Sequence, residues 1–159
     1  MDFTIRIATP RDAPALAELN GEFNHLEMPV AVVKQRLSRN KRESVLIARI
    51  ADRPVGYACL QYSCSICYPR PWAEVTEMYV RSGYRRKGIA TALLAAVERQ
   101  ARKQGVDQIV VLTGKNNNRG QRLYSSHGYR GTRKYVYQKT LTHQPAPARS
   151  RAPDGLTAG

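Results

Sequence analysis

The first half of the chain combines two patterns of apolar positions. Residues 3–7 are apolar at every second position, which predicts a short strand with one buried face. Between residues 13 and 24 the apolar positions recur every three or four residues, which predicts a helix, and a second helix is predicted over 30–40. Three further strands are expected, at 45–50, 55–62 and 73–80, with a loop over 63–71.

The second half contains the strongest helical pattern. Ile89, Leu93, Val97 and Ala101 follow one another at a spacing of four, which predicts a helix from residue 88 to 104. A buried strand at 108–113, a short helix at 117–126 and a last strand at 129–141 are expected after it. Strands in series with helices predict an α/β (α+β) fold, with a mixed sheet covered by helices on both faces.

Length and composition favour one domain over residues 1–142. Residues 143–159 are rich in Pro, Ala, Ser and Gly and have no periodicity, so we expect a disordered tail. No apolar run approaches the ~20 residues that span a bilayer, and the N-terminus lacks the apolar centre of a signal peptide. Three cysteines are too few for a disulfide scaffold. We therefore expect a cytoplasmic protein without membrane contact, as a monomer or homodimer.

Positive charge is concentrated in the second half. The chain has 26 Lys and Arg against 12 Asp and Glu, a net charge of +14. Residues 1–80 hold 10 basic and 9 acidic side chains, whereas residues 81–159 hold 16 and 3. This asymmetry indicates an anionic partner, either nucleic acid or a phosphorylated small molecule. A solvated basic face without a partner is the alternative, and composition does not choose between them.

The segment 78–91 has the composition of an anion site. A predicted strand ends in a short glycine-containing loop that opens directly into the long helix, where free backbone N–H groups and the helix dipole favour an anion. Arg85, Arg86 and Lys87 add positive charge beside Gly88. The spacing fits neither a Walker loop nor a dinucleotide fingerprint. We interpret the segment as a pyrophosphate site.

Two motifs resemble those of the GNAT N-acetyltransferases. Residues 85–90, Arg-x-x-Gly-x-Ala, are similar to the family's acetyl-CoA signature, Gln/Arg-x-x-Gly-x-Gly/Ala. Residues 117–129, Asn-x-x-Gly-x-x-Leu-Tyr-x-x-x-Gly-Tyr, are similar to the family's second pattern, which usually has alanine at the position of Gly120. The resemblance extends over residues 3–141 in the order of elements, and the motifs are specific only as a pair.

The resemblance implies a mostly antiparallel twisted sheet with a V-shaped splay between strands 73–80 and 108–113. It also implies acetyl-CoA as co-substrate, without a metal. The pantetheine arm is expected to pair with the backbone of strand 73–80, and the pyrophosphate to lie on the amides of residues 86–91. The residues expected to bind the cofactor are Met78, Tyr79, Val80, Arg85, Arg86, Lys87, Gly88, Ile89, Ala90, Thr91 and Asn117.

The family's mechanism implies acetyl transfer to a primary amine of a small molecule or peptide. Tyr124 occupies the position of the general acid that protonates the CoA sulfur, although it is also explained as a core aromatic. Glu77, or Glu74, is the candidate base or water relay. The alternatives are a solvent-facing Glu74 and a Glu77 that pairs with a nearby arginine. Weaker candidates for acceptor contacts are Phe23, His25, Glu27, Tyr68 and Trp72.

Two other interpretations remain open. A basic GNAT-fold module could bind nucleic acid or acetylate an aminoacyl-tRNA, in agreement with the charge of the second half. A GNAT domain could also bind acetyl-CoA without catalysis, although Tyr124 and the two carboxylates argue against this. Cys64 and Cys67 have the spacing of zinc ligands, but no second cysteine pair exists, so four ligands are not assembled.

Overall fold

The computed structural model describes residues 2–134 and 136–141. Residues up to Tyr129 form one compact unit, and residues from Arg130 onward are separate from it. The first unit contains five strands and four helices: β1 (Thr4–Ile7), α1 (Ala13–Asn24), α2 (Val30–Arg39), β2 (Glu43–Ile50), β3 (Arg53–Ser63), β4 (Trp72–Val80), α3 (Ile89–Lys103), β5 (Gln108–Val111) and α4 (Asn118–Ser126). The predictions for these nine elements are confirmed, with boundaries that move by a few residues.

The five strands form one sheet in the order β1-β2-β3-β4-β5. The first four are antiparallel neighbours, and β5 is parallel to β4. The β2–β3 connection is a tight hairpin in which Ala51 adopts a positive φ of 50°. The parallel pair needs a long crossover, which α3 provides. The mixed α+β class and the mostly antiparallel sheet are confirmed.

Helices cover both faces of the sheet. The spacing-of-four stripe of α3, including Leu93 and Val97, is fully buried against side chains such as Val55 and Leu60. On the opposite face, Leu16 and Leu19 of α1 pack with the sheet residues Ile47, Tyr57 and Cys59. The helical period therefore decides which helix surface faces the sheet.

A bulge and a short ladder open the centre of the sheet. In the β3–β4 pair, Cys59 lies opposite Glu77 while the next residue, Leu60, lies opposite Val75, so Thr76 is the extra residue of β4. The β4–β5 ladder extends only from Trp72 to Val75. Beyond it, the last five residues of β4 have no strand on the β5 side within the described part of the chain. This is the splay that the sequence predicted.

One sequence prediction at the C-terminal side is wrong. The strand predicted over 129–141 is absent from the described residues there, 129–134 and 136–141. Its basic side chains and exposed Val136, Tyr137 and Leu141 do not form the buried face that a strand pattern requires. The strand predicted at 108–113 is confirmed but shorter, since it ends at Val111 and Leu112 beyond it is 57% exposed. The predicted tail over 143–159 lies outside the described residues.

Within the described ranges, no helix has the length and apolarity needed to cross a membrane. The cytoplasmic location and the oligomeric state remain predictions.

A hydrogen-bonded carboxylate connects β1 to the start of α1. Asp12 is only 4% exposed, and both of its oxygens accept hydrogen bonds from the Arg6 guanidinium at 2.7 Å. The backbone N–H and hydroxyl of Thr9 also donate to it, in a capping box around Pro10. The Arg6 hydrogen bonds hold the pKa of the Asp12 carboxyl well below its usual range. The negative charge of Asp12 is thus stabilised in the folded state.

We predict that Asp12→Asn lowers the free energy of unfolding by about 2 kcal/mol at neutral pH, through loss of the charged hydrogen bonds and the cap. Because the pKa of Asp12 is lower in the folded than in the unfolded chain, its contribution is present above pH ~4 and disappears as the pH falls. Urea unfolding at pH 7 and pH 3 measures both effects. Asp107→Asn, which removes an exposed ion pair with Arg70, is the control and should cost at most about 1 kcal/mol. Equal losses in the two variants would contradict the prediction.

Candidate active site

The loop between β4 and α3 has an unusual backbone path. A single 3-10 turn, Ser82–Tyr84, follows β4. Arg86 and Gly88 then adopt left-handed conformations with φ of 59° and 79°, and α3 begins at Ile89. A Cβ at Gly88 would meet nothing within 4 Å, so the local protein structure requires glycine for its φ and not for space. These two residues turn the chain from strand to helix within a few positions.

The turn leaves a run of unpaired backbone donors. The first hydrogen bond of α3 goes from the Ala92 N–H to the Gly88 carbonyl, at 2.9 Å. The six preceding N–H groups, from Arg86 to Thr91, have no backbone acceptor within the described part of the chain. Consecutive N–H groups at a helix start form an anion site, because their partial charges and the helix dipole act together. Binding of a pyrophosphate by these amides remains a prediction.

The basic residues of the loop have different surroundings. The Arg85 Nε donates to the Val80 carbonyl at 2.8 Å, and its guanidinium lies 5.8 Å from the centre of the Tyr79 ring. Lys87 lies over the ring of Tyr84 at 5.4 Å. Arg85 therefore fixes the end of β4, a role that the sequence motif did not indicate. Since the Val80 carbonyl already has one donor, its pairing with a pantetheine arm remains a prediction.

An ion-pair network fastens the same end of β4 to α1. The side chain of Arg81 is 12% exposed and contacts Glu18 and Glu22, with Nη2 to Glu22 Oε1 at 2.6 Å. Its Nη1 donates to the Pro54 carbonyl at 2.9 Å, and the Tyr79 hydroxyl donates to Glu22 at 3.1 Å. The Arg81 hydrogen bonds lower the pKa of the Glu22 carboxyl. Sequence analysis missed this network, although Glu18 and Glu22 share one face of α1 at a spacing of four.

Asn117 caps α4 with both ends of its amide. Its Oδ1 accepts from the Gly120 N–H at 3.0 Å, and its Nδ2 donates to the Thr113 hydroxyl at 3.1 Å. A Cβ at position 120 would lie 2.5 Å from the Asn117 Nδ2. Glycine at position 120, where the family usually has alanine, therefore leaves room for the Asn117 side chain that caps the helix. A contact between Asn117 and the cofactor remains a prediction.

Tyr124 lies in α4 beside a second tyrosine. Its ring and that of Tyr129 make a tilted contact with centres 5.8 Å apart. Burial raises the pKa of the Tyr124 phenol, so the hydroxyl keeps its proton at neutral pH. The Tyr129 hydroxyl is buried and has no hydrogen-bond partner among the described residues. Tyr124 thus has the protonation state of a general acid.

The bulge at Thr76 brings the two candidate carboxylates onto one face. Glu74 and Glu77 are three positions apart, which in a regular strand would put them on opposite faces. Because Thr76 is an extra residue, Glu74 pairs with Gln61 and Glu77 with Cys59, both on the face towards α1. Neither carboxylate forms an ion pair with another described residue. The alternative in which Glu77 pairs with an arginine is therefore not observed.

A cavity of about 230 Å³ lies on the same face of the sheet, between α1, α2 and the strands. Its polar lining includes Glu43, Tyr57 and Cys59, and Cys59 is the β3 partner of Glu77. The charge of Glu77 acts on both Cys59 and Glu43. This cavity could not be predicted from sequence, because its walls come from five separate elements, β1, α1, α2, β2 and β3.

The weaker candidates lie outside this cavity. Phe23 stacks on Tyr79 with ring centres 5.2 Å apart, and His25 ends α1 in a left-handed conformation. Glu27 and Tyr68 are exposed, and Trp72 is half-buried at the start of β4. None of the five lines the 230 Å³ cavity.

Cys64 and Cys67 are exposed free thiols. Within the described residues there is no group of three or more His, Cys, Asp or Glu arranged to hold a metal ion. Seven basic side chains between Lys115 and Lys139 are exposed, and the chain has no Asp or Glu in that range. Binding of nucleic acid by this region remains a prediction.

The open edge of β4 thus leads directly to a loop lined with unpaired backbone N–H groups. The sequence profile of the acetyltransferase (GNAT) family matches residues 12–129, and the chain belongs to this family. An amino-acid acetyltransferase of Pasteurella multocida is 31% identical over 110 residues, which are 69% of this chain and 24% of that protein. The chain thus spans about a quarter of the length of this curated relative.

Solved structures share the fold. A ribosomal-protein-alanine N-acetyltransferase from Brucella melitensis biovar Abortus 2308 has a TM-score of 0.76 at 20% identity, over 89% of this chain and 100% of that chain. AAC(6')-Iy, in complex with the bisubstrate analogue CoA-S-monomethyl-acetylneamine, has a TM-score of 0.77 at 17% identity, over 89% and 100% of the two chains. The resemblance noted from the two motifs is confirmed.

The GNAT family uses acetyl-CoA, and the residues present fit this molecule. Its pyrophosphate needs several N–H donors, which the stretch from Arg86 to Thr91 offers. Its pantetheine amides need a free strand edge, which β4 has beyond Val75.

We predict that Gly88→Asp weakens acetyl-CoA binding about a hundredfold or more, because a carboxylate would stand where the amides meet the pyrophosphate. Gly88→Asn is the matched control. It has the same size, and Asn tolerates the left-handed conformation as Asp does, so binding should fall less than about tenfold. Titration calorimetry measures both affinities. Wild-type affinity in Gly88→Asp, or equal losses in the two variants, would contradict a charge-sensitive phosphate site.

Proposed function

We propose that the protein transfers an acetyl group from acetyl-CoA to a primary amine of a small molecule or peptide, by direct attack. The observation that carries the proposal is the run of six unpaired amides at the start of α3, immediately after the free edge of β4. Any α-helix leaves about four N–H groups at its start without a backbone acceptor, and the left-handed residues Arg86 and Gly88 lengthen this run to six.

Three groups have defined tasks in this reaction. The backbone edge of β4 and the loop amides bind and orient acetyl-CoA, which supplies the activated thioester. Glu77, or Glu74, accepts the proton that the amine loses, directly or through a water molecule. Tyr124 donates its phenolic proton to the departing thiolate. The nitrogen–carbon bond forms, the carbon–sulfur bond breaks, and one proton moves at each end.

Glu77 is the favoured base because of its position. It follows the bulge, on the part of β4 that is free on the β5 side, whereas Glu74 lies within the β4–β5 ladder opposite Val110. An attacking amine must reach the acetyl group at the splay, and Glu77 is nearer to that opening along the strand. The 230 Å³ cavity on the same face gives the rest of the acceptor a place to bind.

We predict that Tyr124→Phe lowers kcat by about 10²–10⁴-fold, which is the usual contribution of a positioned general acid. The ring remains, so packing is preserved, and the acetyl-CoA Kd should change by no more than the ~0.5–1.5 kcal/mol of one neutral hydrogen bond. Tyr129→Phe is the control, because it removes the adjacent buried hydroxyl that has no partner among the described residues. It should leave kcat unchanged and stability unchanged or improved.

A release assay for free thiol, combined with calorimetry, separates these outcomes. A loss of less than about tenfold in kcat for Tyr124→Phe, with a good acceptor, would refute the role of the acid. A matching loss in Tyr129→Phe would indicate that removal of either hydroxyl of the tyrosine pair slows turnover, and would argue against a specific proton donation by Tyr124.

We predict that Glu77→Gln lowers kcat by about 10²-fold at pH 7, and that the loss shrinks as the pH rises towards the pKa of the amine, ~10.4 for a lysine-type group. At high pH the amine is already neutral, so a base is no longer needed. Glu74→Gln should change kcat less than about threefold. The pH profiles of the three proteins test this. A loss that is constant with pH, or a larger effect in Glu74→Gln, would be evidence against Glu77 as the base.

A further inference from the structure

The cavity between α1, α2 and the sheet is lined mainly by apolar side chains, together with one acidic and one basic side chain. Leu16, Val33, Leu37 and Val45 provide apolar surface from α1, α2 and β2. Glu43 at the start of β2 and Arg36 in the last turn of α2 also line it. Such a lining suits a ligand with an alkyl arm and a head that carries a positive and a negative group.

The two charged residues face the cavity without neutralising each other. Glu43 accepts a hydrogen bond from the Asn40 side chain at 3.2 Å, and it forms no ion pair with another described residue. Arg36 is close enough to act on the Glu43 charge, yet it lies beyond ion-pair distance. Burial raises the pKa of the Glu43 carboxyl, so the site gains from an ammonium group beside it. An α-ammonium would meet Glu43, and an α-carboxylate would meet Arg36.

The size and position of the cavity limit the ligand further. A volume of about 230 Å³ has room for about eight non-hydrogen atoms, at the ~30 Å³ that a water molecule occupies in the liquid. Glu43 on β2 and the candidate base Glu77 on β4 lie on the same face, one strand apart on either side of β3. Glu43 pairs with Gln61, directly across β3 from Glu74. Glu77 instead pairs with Cys59, two residues away from Gln61 along β3. Two interstrand steps and this offset together span about 12 Å. A head group beside Glu43 would thus need an arm of a few methylenes to bring a second amine to Glu77.

We propose that this cavity binds the α-amino acid head of a free diamino acid of the ornithine or lysine type, and presents its terminal amine to the acetyl group at β4. The inference rests on the proposed function and specifies its acceptor. A simple diamine fits less well, because its head would place an ammonium beside Arg36 and offer no carboxylate to pair with it. In the reaction the terminal nitrogen bonds to the acetyl carbon, the carbon–sulfur bond of acetyl-CoA breaks, the amine proton passes to Glu77, and the thiolate takes a proton from Tyr124.

Steady-state kinetics with matched acceptors test the proposal. Ornithine and lysine are compared with putrescine and cadaverine, which have the same arms and no carboxylate. We expect kcat/KM to be about ten- to hundredfold higher for the amino acids, the contribution of a charged hydrogen bond. Arg36→Gln should abolish this preference, because the amino acids lose the partner of their carboxylate and the diamines lose a repulsive neighbour. Glu43→Gln should lower kcat/KM for both classes. Arg39→Gln, at an exposed position of the same helix that does not line the cavity, should change neither.

Two measurements do not depend on turnover of a diamino acid. Norvaline has the same head and no terminal amine, so it should compete with ornithine in wild type and about tenfold less well in Arg36→Gln. Mass spectrometry of the product should locate the acetyl group on the terminal nitrogen. An acetyl group on the α-nitrogen, an equal or higher rate with the diamines, or an Arg36→Gln variant that retains the preference would overturn the inference.

The failure of this inference differs from a failure of the proposed function. A protein that binds acetyl-CoA in calorimetry and acetylates other amines, but not the diamino acids, would refute only the acceptor. A protein that neither binds acetyl-CoA nor releases free thiol with any amine would refute the proposed function itself.

Discussion

The site depends on the point at which β4 and β5 stop pairing. Four residues of each strand form the parallel ladder, which ends at Val75 and Val111. One position later, Thr76 is the extra residue in the β3–β4 pair. A bulge changes the twist of a strand and re-aims the side chains that follow it. The free edge of β4, the common face of Glu74 and Glu77, and the approach to the loop before α3 all follow from this short segment.

The two ends of the proposed acetyl-CoA site are held by different means. At the loop, the left-handed residues Arg86 and Gly88 turn the chain so that its amides stay free. At the end of β4, Arg81 connects the strand to α1 through Glu18 and Glu22, and also to the Pro54 carbonyl. Binding of an anion by backbone groups needs them to be held before the ligand arrives, since ordering a loop costs conformational entropy. The Arg81 network provides part of that order.

The distribution of charge fits two kinds of ligand. Arg85, Arg86 and Lys87 surround the amide-lined loop with positive charge, which suits a pyrophosphate. The opposite face of the sheet carries Glu43, Glu74 and Glu77, and this is where an amine would approach. Although the chain is strongly basic as a whole, the face of the sheet on which we propose that the amine binds is therefore locally acidic. The exposed basic residues after Lys115 are not explained by either ligand.

Sequence by itself determined the elements, because hydrophobic period and glycine and proline positions are local properties of the chain. It also located the loop at Gly88 and the tyrosine that we propose as the acid, Tyr124, since each lies in a short motif of neighbouring residues. The strand prediction at 129–141 is wrong, because a strand needs a pairing partner and the pattern of apolar residues along one segment does not reveal whether a partner exists. The Arg81 network and the cavity lined by Arg36 and Glu43 were not predicted at all. Only the tertiary structure decided these, because they join residues from distant elements. The bulge at Thr76 is the clearest case: residues 74 and 77 share a face through the pairing of β4 with β3, and no spacing along one strand reveals it.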